Sequence, residues 1–411
     1  MNLELSVSAL RSGQALQISG SKSETNRLLL LQALYPQLLL ENTSDSDDSE
    51  VMRKAIAGHD AVVDIHHAGT AMRFLTAYFA IQDQREVVLT GSSRMKERPI
   101  KILVDALRSL GADINYLEAE GFPPLKIKGK NLTNNKVSLA ADVSSQYISA
   151  LLLIAPRLEK GLNLTLEGRI TSVPYINMTL GLLREIGVDA TFDHNVIAIK
   201  PGPQHIAART LTVESDWSSA SYFYSIVALS AIGTKITLSS YRESSLQGDR
   251  ALADIYQSLG VRTIFEDNRI VLHKQTSNVK LQTLDLNQTP DIAQTIAVTA
   301  FGLGIGCHLT GLHTLKIKET DRLVALQTEL SKLGANVRVT DDGLTLAASS
   351  SITPYVKIAT YSDHRMAMAF APLALKVPLL IGDAEVVSKS YPNFWNDLQS
   401  IGFEILPDAK G

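Results

Sequence analysis

Hydrophobic positions along the chain recur as short strands, each ending in a small residue. Leu16-Gln17-Ile18-Ser19-Gly20, Val88-Leu89-Thr90-Gly91 and Leu164-Thr165-Leu166-Glu167-Gly168 are three; Ile236-Thr237-Leu238-Ser239-Ser240, His308-Leu309-Thr310-Gly311 and Leu379-Leu380-Ile381-Gly382 are three more. Their ends, at 20, 91, 168, 240, 311 and 382, are separated by 71, 77, 72, 71 and 71 residues. A second series is helical. Ile100, Leu103, Leu107 and Leu110, and again Leu323, Leu326, Leu330 and Leu333, stand three or four apart and so share one face. These segments end at Gly111, Gly187, Gly260, Gly334 and Gly402, where glycine supplies a left-handed stop. A third series puts polar pairs at the head of apolar runs: Gly69-Thr70, Ser144-Ser145, Ser218-Ser219, Pro290-Asp291 and Asp363-His364. Ser, Asp and Thr in such places suit helix N-caps.

Three series at one period predict six copies of a unit that mixes strands with two helices. The last copy is short, and the first 19 residues are its expected completion. The predicted domains are therefore an insert, 20–212, and a second domain built from 1–19 plus 213–411, each of three copies. The two chain crossings are expected to form a hinge.

Composition narrows the class. Of 411 residues, 45% are hydrophobic and 20% charged, which excludes disorder and disulfide mini-scaffolds. Lys plus Arg number 39 against 42 Asp plus Glu, so a broadly basic nucleic-acid binder is not expected. Cys307 is the sole cysteine, which leaves no internal disulfide and no Cys-rich metal site. The start shows no signal-peptide pattern, and the apolar windows Leu28–Leu40, Ile148–Pro156 and Ile296–Gly306 are too short to span a membrane. The expected protein is cytoplasmic. Phosphate-loop, dinucleotide and G-x-S-x-G motifs do not occur.

Positive charge concentrates at helix starts and strand ends: Lys22, Arg27, Arg94, Lys96, Arg98, Lys318, Arg322, Arg365 and Lys389. Ser23/Arg27 and Lys318/Arg322 are spaced four apart, one helical face if the helix has begun. Helix N-termini already offer free N–H groups and partial positive charge, so cations beside them predict anion sites.

Eight segments carry a family resemblance. They are Ser21-Lys22-Ser23-Glu24-Thr25-Asn26-Arg27, Ala68-Gly69-Thr70-Ala71-Met72-Arg73, Arg94-Met95-Lys96-Glu97-Arg98-Pro99-Ile100, Ser144-Ser145-Gln146-Tyr147, Pro174-Tyr175, Pro290-Asp291, Lys318-Glu319-Thr320-Asp321-Arg322 and Asp363-His364-Arg365-Met366-Ala367-Met368. In this order, over nearly the whole chain, they resemble the 5-enolpyruvylshikimate-3-phosphate synthase family of enolpyruvyl transferases. The resemblance implies an α/β fold of two domains, each of three pseudo-symmetric βαβαββ-like units, with the active site in the interdomain cleft. It implies transfer of the enolpyruvyl group of phosphoenolpyruvate to the 5-hydroxyl of shikimate 3-phosphate, within chorismate and aromatic amino acid biosynthesis. It implies no metal, no cofactor, no nucleic acid or membrane partner, and a monomer.

Carried over by motif, shikimate 3-phosphate should meet Lys22, Ser23, Arg27, Ser144, Ser145, Ser172, Asp291 and Lys318. Phosphoenolpyruvate should meet Lys22, Gly69, Arg94, Gln146, Arg322, Arg365 and Lys389. Thr314, His364 and Tyr175 are further expected contacts. Lys318 and Asp291 are the expected bases, Glu319 the proton donor, and Lys22 an accessory catalytic group. The chain departs from the family pattern at His67 and Thr314, where Asn is usual, and at Phe74, where Pro is usual. Two rival readings rest on the same fold, and a third, an RNA-end-processing enzyme of related architecture, is disfavoured by the net charge of −3 and the few aromatics. A UDP-N-acetylglucosamine enolpyruvyl transferase normally carries a reactive Cys in the loop that here reads Gly91-Ser92-Ser93-Arg94-Met95-Lys96-Glu97. A non-catalytic anion-binding protein would not need Asp291, Lys318 and Glu319 together.

Overall fold

The computed structural model describes residues 1–141, 144–168, 170, 173–281 and 283–408. The chain divides into two compact units, Ser21–Val213 and Met1–Gly20 with Glu214–Gly411. Each has a hydrophobic core of its own.

Five four-stranded sheets share one order: a leading strand, a second strand parallel to it, a third antiparallel to the second, and an edge strand antiparallel to the third. In the inserted unit these are Val62–Asp64, Glu86–Thr90, Leu125–Lys128 and Asp113–Tyr116, then Lys136–Ala140, Leu162–Glu167, Val196–Ile199 and Ala190–Asp193. In the other unit they are Gln14–Gln17, Lys235–Ser239, Arg269–Lys274 and Val261–Glu266, then Thr283–Asp285, Cys307–Thr310, Leu344–Leu346 and Val337–Val339. The last sheet pairs Val356–Ile358, Leu379–Ile381, Leu3–Leu5 and Ile405–Pro407. Leu3–Leu5 takes the slot that a hairpin strand takes elsewhere, so the start of the chain completes its final copy.

The strand ending at Gly20 corrects the sequence reading. The series places it with strands such as Glu86–Thr90, which are second strands in their sheets, but Gln14–Gln17 occupies a leading position, parallel to Lys235–Ser239. Succession explains the difference. Gly20 is followed directly by Ser21, the N-cap of helix Lys22–Leu34, as leading strands are. The second strand of that copy is Leu38–Glu41, which pairs only with Arg209–Thr212 among the described strands. Helix Asp47–Ala57 then runs straight on to Val62–Asp64 with no hairpin, so one copy of six is incomplete. The 71-residue step from Gly20 to Gly91 is regular in number and not in structure.

Each unit is centred on three helices: Lys22–Leu34, Gly69–Ala80 and Ser145–Ile154 in one, Trp217–Leu229, Ala293–Gly302 and His364–Phe370 in the other. Helices apolar on every side belong inside a core, and these are buried nearly all round. In Gly69–Ala80, Ser145–Ile154, Trp217–Leu229 and His364–Phe370 one residue escapes burial, and it is the second each time: Thr70, Gln146, Ser218 and Arg365. Amphipathic outer helices end where expected, with Gly111, Gly187, Gly260, Gly334 and Gly402 all at φ between 81° and 113°, a conformation that a Cβ disfavours. Gly302 packs so closely that a Cβ would lie 2.7 Å from Leu229 and 2.8 Å from Leu373. Cys307 is buried in its strand, and burial pushes its thiol up to about 12, so it is an inert core residue. No described helix is long and apolar enough to cross a membrane.

Candidate active site

In the unit containing Glu214–Gly411, the unburied helix heads converge on one charged cluster. A 3-10 turn, Pro290–Ile292, leads into helix Ala293–Gly302 and leaves Asp291 as its accessible residue. Arg322 begins helix Arg322–Lys332 behind the N-cap Asp321. Its guanidinium is 2% exposed and donates to three carboxylates: Asp363 Oδ2 at 2.6 Å, Asp291 Oδ1 at 2.9 Å and Glu319 Oε2 at 2.8 Å. Burial pulls its basicity down, but Asp363, Glu319 and Asp291 together push it above the ordinary arginine value.

The other cations share these same acids. Lys318 Nζ lies 3.5 Å from Asp291 Oδ1, Lys389 Nζ 3.3 Å from Glu319 Oε1, and Arg365 Nη2 3.8 Å from Asp291 Oδ2. Arg365 also donates to Ser218 Oγ at 3.4 Å. His364 is buried with Nδ1 3.8 Å from Asp363. Thr314 stands in the 3-10 turn His313–Ile317, its hydroxyl buried with no hydrogen-bond partner among the described residues. Lys318 differs from the sequence reading in one respect. Helix Arg322–Lys332 starts after it, so Lys318 and Arg322 meet through Asp291 and not along a helical face.

The inserted unit repeats this geometry with mostly neutral groups. Gln146 Nε2 donates to Thr70 Oγ1 at 3.1 Å, joining two helix heads as Arg365 and Ser218 do in the other unit. Ser144 is the N-cap beside buried Ser145 and accepts from the Gln146 amide at 3.4 Å. Lys22 Nζ lies 3.5 Å from Asp48 Oδ2.

Ser23 and Arg27 share the face of helix Lys22–Leu34, and Arg27 Nη1 donates to the Ser23 carbonyl at 2.7 Å. The rest of Arg27 is committed inward: Nε to Thr179 Oγ1 at 2.8 Å, Nη2 to Ser149 Oγ at 3.0 Å and to the Tyr175 carbonyl at 3.4 Å. Its burial lowers its basicity to about 10. Arg94 is 64% exposed and pairs with Glu97 at 2.7 Å. Ser172 lies outside the described residues.

Gly69 heads its helix under a guanidinium: a Cβ there would be 2.6 Å from Arg98 Nη1. The adjacent Gly69 carbonyl accepts from buried Arg73 at 3.0 Å. Arg98 stands out in the sequence as basic, without a motif that assigns it to the site. Asp363 and Asp249 were missed as well. Asp363 carries a signal, since it heads a helix in the sequence Asp-His-Arg, but that pattern by itself marks only a cap. Buried Asp249 accepts from the Ser218 and Thr289 hydroxyls at two helix heads. Burial raises its pKa, with Asp291 adding to the effect. No sequence pattern marks it.

A sequence model of EPSP synthase (3-phosphoshikimate 1-carboxyvinyltransferase) matches residues 37–398. The chain belongs to the EPSP synthase family. It is 46% identical to a 3-phosphoshikimate 1-carboxyvinyltransferase of Bacteroides fragilis over 398 residues, 95% of each chain. It is 36% identical to the protein of that name from Haemophilus influenzae, over 94% of this chain and 96% of that one. Among solved structures, EPSP synthase from Acinetobacter baumannii matches with TM-score 0.81 at 20% identity, covering 99% of this chain and all of that one. The enolpyruvyl transferase NikO from Streptomyces tendae matches with TM-score 0.73 at 15% identity, over 98% of both chains. Both structures share the fold, and with it the mixed α/β architecture of repeated sheets around buried helices.

Proposed function

We propose that the chain transfers the enolpyruvyl group of phosphoenolpyruvate to the 5-hydroxyl of shikimate 3-phosphate and releases phosphate. The observation that carries this reading is the convergence of Lys318, Arg322, Arg365 and Lys389 on Asp291, Glu319 and Asp363 at the heads of buried helices. Each substrate bears a phosphate and a carboxylate, so the pair brings roughly five to six negative charges. Two like charges about 4 Å apart repel by about 4 kcal/mol at an effective dielectric near 20, so the pair needs several cations and N–H donors.

Phosphoenolpyruvate is assigned to Lys22, Gly69, Arg94, Gln146, Arg322, Arg365 and Lys389. Shikimate 3-phosphate is assigned to Ser23, Arg27, Ser144, Ser145 and Ser172, with Asp291 and Lys318. In the first step the 5-hydroxyl oxygen bonds to C2 of phosphoenolpyruvate while a proton is added at C3. In the second, a methyl proton leaves C3, the C2–C3 double bond reforms and the C2–phosphate bond breaks. Asp291 or Lys318 takes the hydroxyl proton, and Glu319, three residues before Arg322 and held by Arg322 and Lys389, delivers the proton to C3. The reading extends to a cytoplasmic monomer, which sedimentation of the purified chain would check.

Rapid-quench turnover of Asp291→Ala and Lys318→Met tests the assignment. Positioned acid–base groups contribute roughly 10² to 10⁴ in rate, and losses of that size are expected in both variants. Turnover within about tenfold of the parent in both would remove it. Phosphate release with shikimate 3-phosphate, and none with UDP-N-acetylglucosamine, is the expected acceptor specificity.

A further inference from the structure

Helix Arg322–Lys332 carries Arg322 at its first position and Glu329 seven residues later, two turns on along the same face. Arg322 grips Asp363. Glu329 is fully buried, and its carboxylate accepts four hydrogen bonds. On Oε1 these come from the Tyr361 hydroxyl at 2.6 Å and Lys332 Nζ at 2.8 Å. On Oε2 they come from the Ala359 amide at 3.1 Å and Lys332 Nζ at 2.7 Å. One helix face therefore holds the segment 359–363 at both ends.

Between the two clamps the backbone is strained. Tyr361 and Ser362 lie in succession in the left-handed region, each at φ 55°, and neither is glycine. Such conformations persist only where the surroundings over-determine them. The next residue, Asp363, caps helix His364–Phe370 by accepting from the Arg365 amide at 2.9 Å, and Arg365 is that helix's unburied second residue. Whatever fixes the turn fixes where Asp363 meets Arg322 and where Arg365 emerges.

We propose that Glu329 and Tyr361 are positioning residues for the phosphoenolpyruvate clamp, holding the left-handed turn that presents Asp363 to Arg322 and sets Arg365. Neither touches substrate. The inference rests on the reading that Arg322 and Arg365 bind phosphoenolpyruvate.

The test is steady-state phosphate release with each substrate varied in turn, together with thermal melts and amide hydrogen exchange. Glu329→Gln places an amide donor against the Ala359 N–H and the Lys332 ammonium. It is expected to lower kcat/KM for phosphoenolpyruvate about tenfold or more, with KM for shikimate 3-phosphate within about twofold. Tyr361→Phe removes one bond and is expected to give a smaller shift in the same direction. Lys332→Met leaves both bonds to the turn and is expected to keep KM for phosphoenolpyruvate within about twofold. Ser362→Gly removes strain that the clamp must hold, so adding it to Tyr361→Phe is expected to recover at least half of the KM shift.

A Glu329→Gln protein that melts lower but keeps the parental KM has lost structure only, and overturns the proposal. So does failure of Ser362→Gly to rescue, which also serves as the test where Glu329→Gln does not fold. A parent that does not turn over the substrate pair refutes the functional reading alone. The positioning role is then read from exchange of the amides of residues 359–365, which is expected to quicken in Tyr361→Phe, and unchanged exchange overturns it.

Discussion

Arg322 offers the most direct test of the charged cluster. Its guanidinium makes contacts of 2.6, 2.9, 2.8 and 3.4 Å to Asp363, Asp291, Glu319 and again Asp363, and almost no water reaches it. Around it stand the cations Lys318, Arg365 and Lys389 and the acids Asp291, Glu319, Asp363 and Asp249. Arg322→Met takes one positive charge from this near-balanced set and leaves a fully buried Asp363 with only neutral donors in its place. Removing one partner of a buried ion pair costs about 3–5 kcal/mol, because the other charge stays behind unpaired. Arg322→Lys keeps the charge and loses the planar fork, since one ammonium does not span Asp363 and Glu319 as the guanidinium does. Losing two charge-assisted bonds at about 1.5–3 kcal/mol each, with part recovered by the ammonium, predicts an intermediate loss of about 2–3 kcal/mol. Urea unfolding read alongside kcat/KM for phosphoenolpyruvate gives both quantities. Methionine is expected to lower stability by about 3–5 kcal/mol, with kcat/KM down by about 10³ or more, and lysine by about 10². Arg322→Lys that unfolds within about 0.5 kcal/mol of the parent and keeps kcat/KM within about threefold would refute the reasoning.

Two further outcomes are expected. Lys274 is 1% exposed at the end of strand Arg269–Lys274, where Nζ donates to the Leu259 carbonyl at 3.0 Å. Burial, with a smaller push from Lys376, lowers its pKa to about 8. A folded-state value below the unfolded one means that the unfolded chain holds more protons between about pH 8 and about pH 10.4, so stability from this group rises with pH through that window. Melts at pH 7 and pH 10 are expected to show Lys274→Met gaining on the parent at the lower pH, and a difference independent of pH would contradict the assignment. Gly69→Ala drives a methyl to 2.6 Å from Arg98 Nη1, the far end of a flexible side chain, so the fold should survive while the guanidinium moves. Its KM for phosphoenolpyruvate is expected to rise by about threefold or more with the melting point nearly unchanged, and an unaltered KM would detach Arg98 and Gly69 from substrate.

What the chain revealed before folding was chiefly what local physics dictates. Glycines at 111, 187, 260, 334 and 402 were legible because a helix stop at positive φ selects that residue whatever surrounds it. The buried central helices were legible as apolar runs behind polar caps. The place of the strand ending at Gly20 was not, because its partner, Lys235–Ser239, lies more than two hundred residues away and spacing carries no record of pairing. The site divides in the same way. Lys318, Arg322, Arg365 and Lys389 stood out as cations at recurring positions and by family motif. Asp249 and Glu329 did not, since a buried carboxylate is distinguished only by the hydroxyls, amides and ammonium groups that the fold brings to it.

The two units show how one repeat comes to hold different chemistry. In both, the second residue of a buried helix is the one left accessible, and in both a hydrogen bond joins neighbouring heads: Gln146 to Thr70 in one, Arg365 to Ser218 in the other. Packing dictates this common frame, because a helix buried all round can present a side chain only where its first turn leaves the core. Sequence then decides what is presented. The inserted unit shows hydroxyls and an amide, donors that recognise phosphate or sugar-like hydroxyls and do not titrate near neutral pH. The other shows Asp291 and Arg365, with Arg322 and Lys389 close by, groups able to move protons and offset anionic charge. Acids and cations there are nearly matched in number, which lets so many charged groups share one place: each cation faces a carboxyl group, and the carboxyl groups lower the repulsion among the cations. An anion arriving at Arg322 and Lys389 competes with Glu319 for them, so the residue assigned as proton donor is also the one whose hold on its cations the substrate loosens.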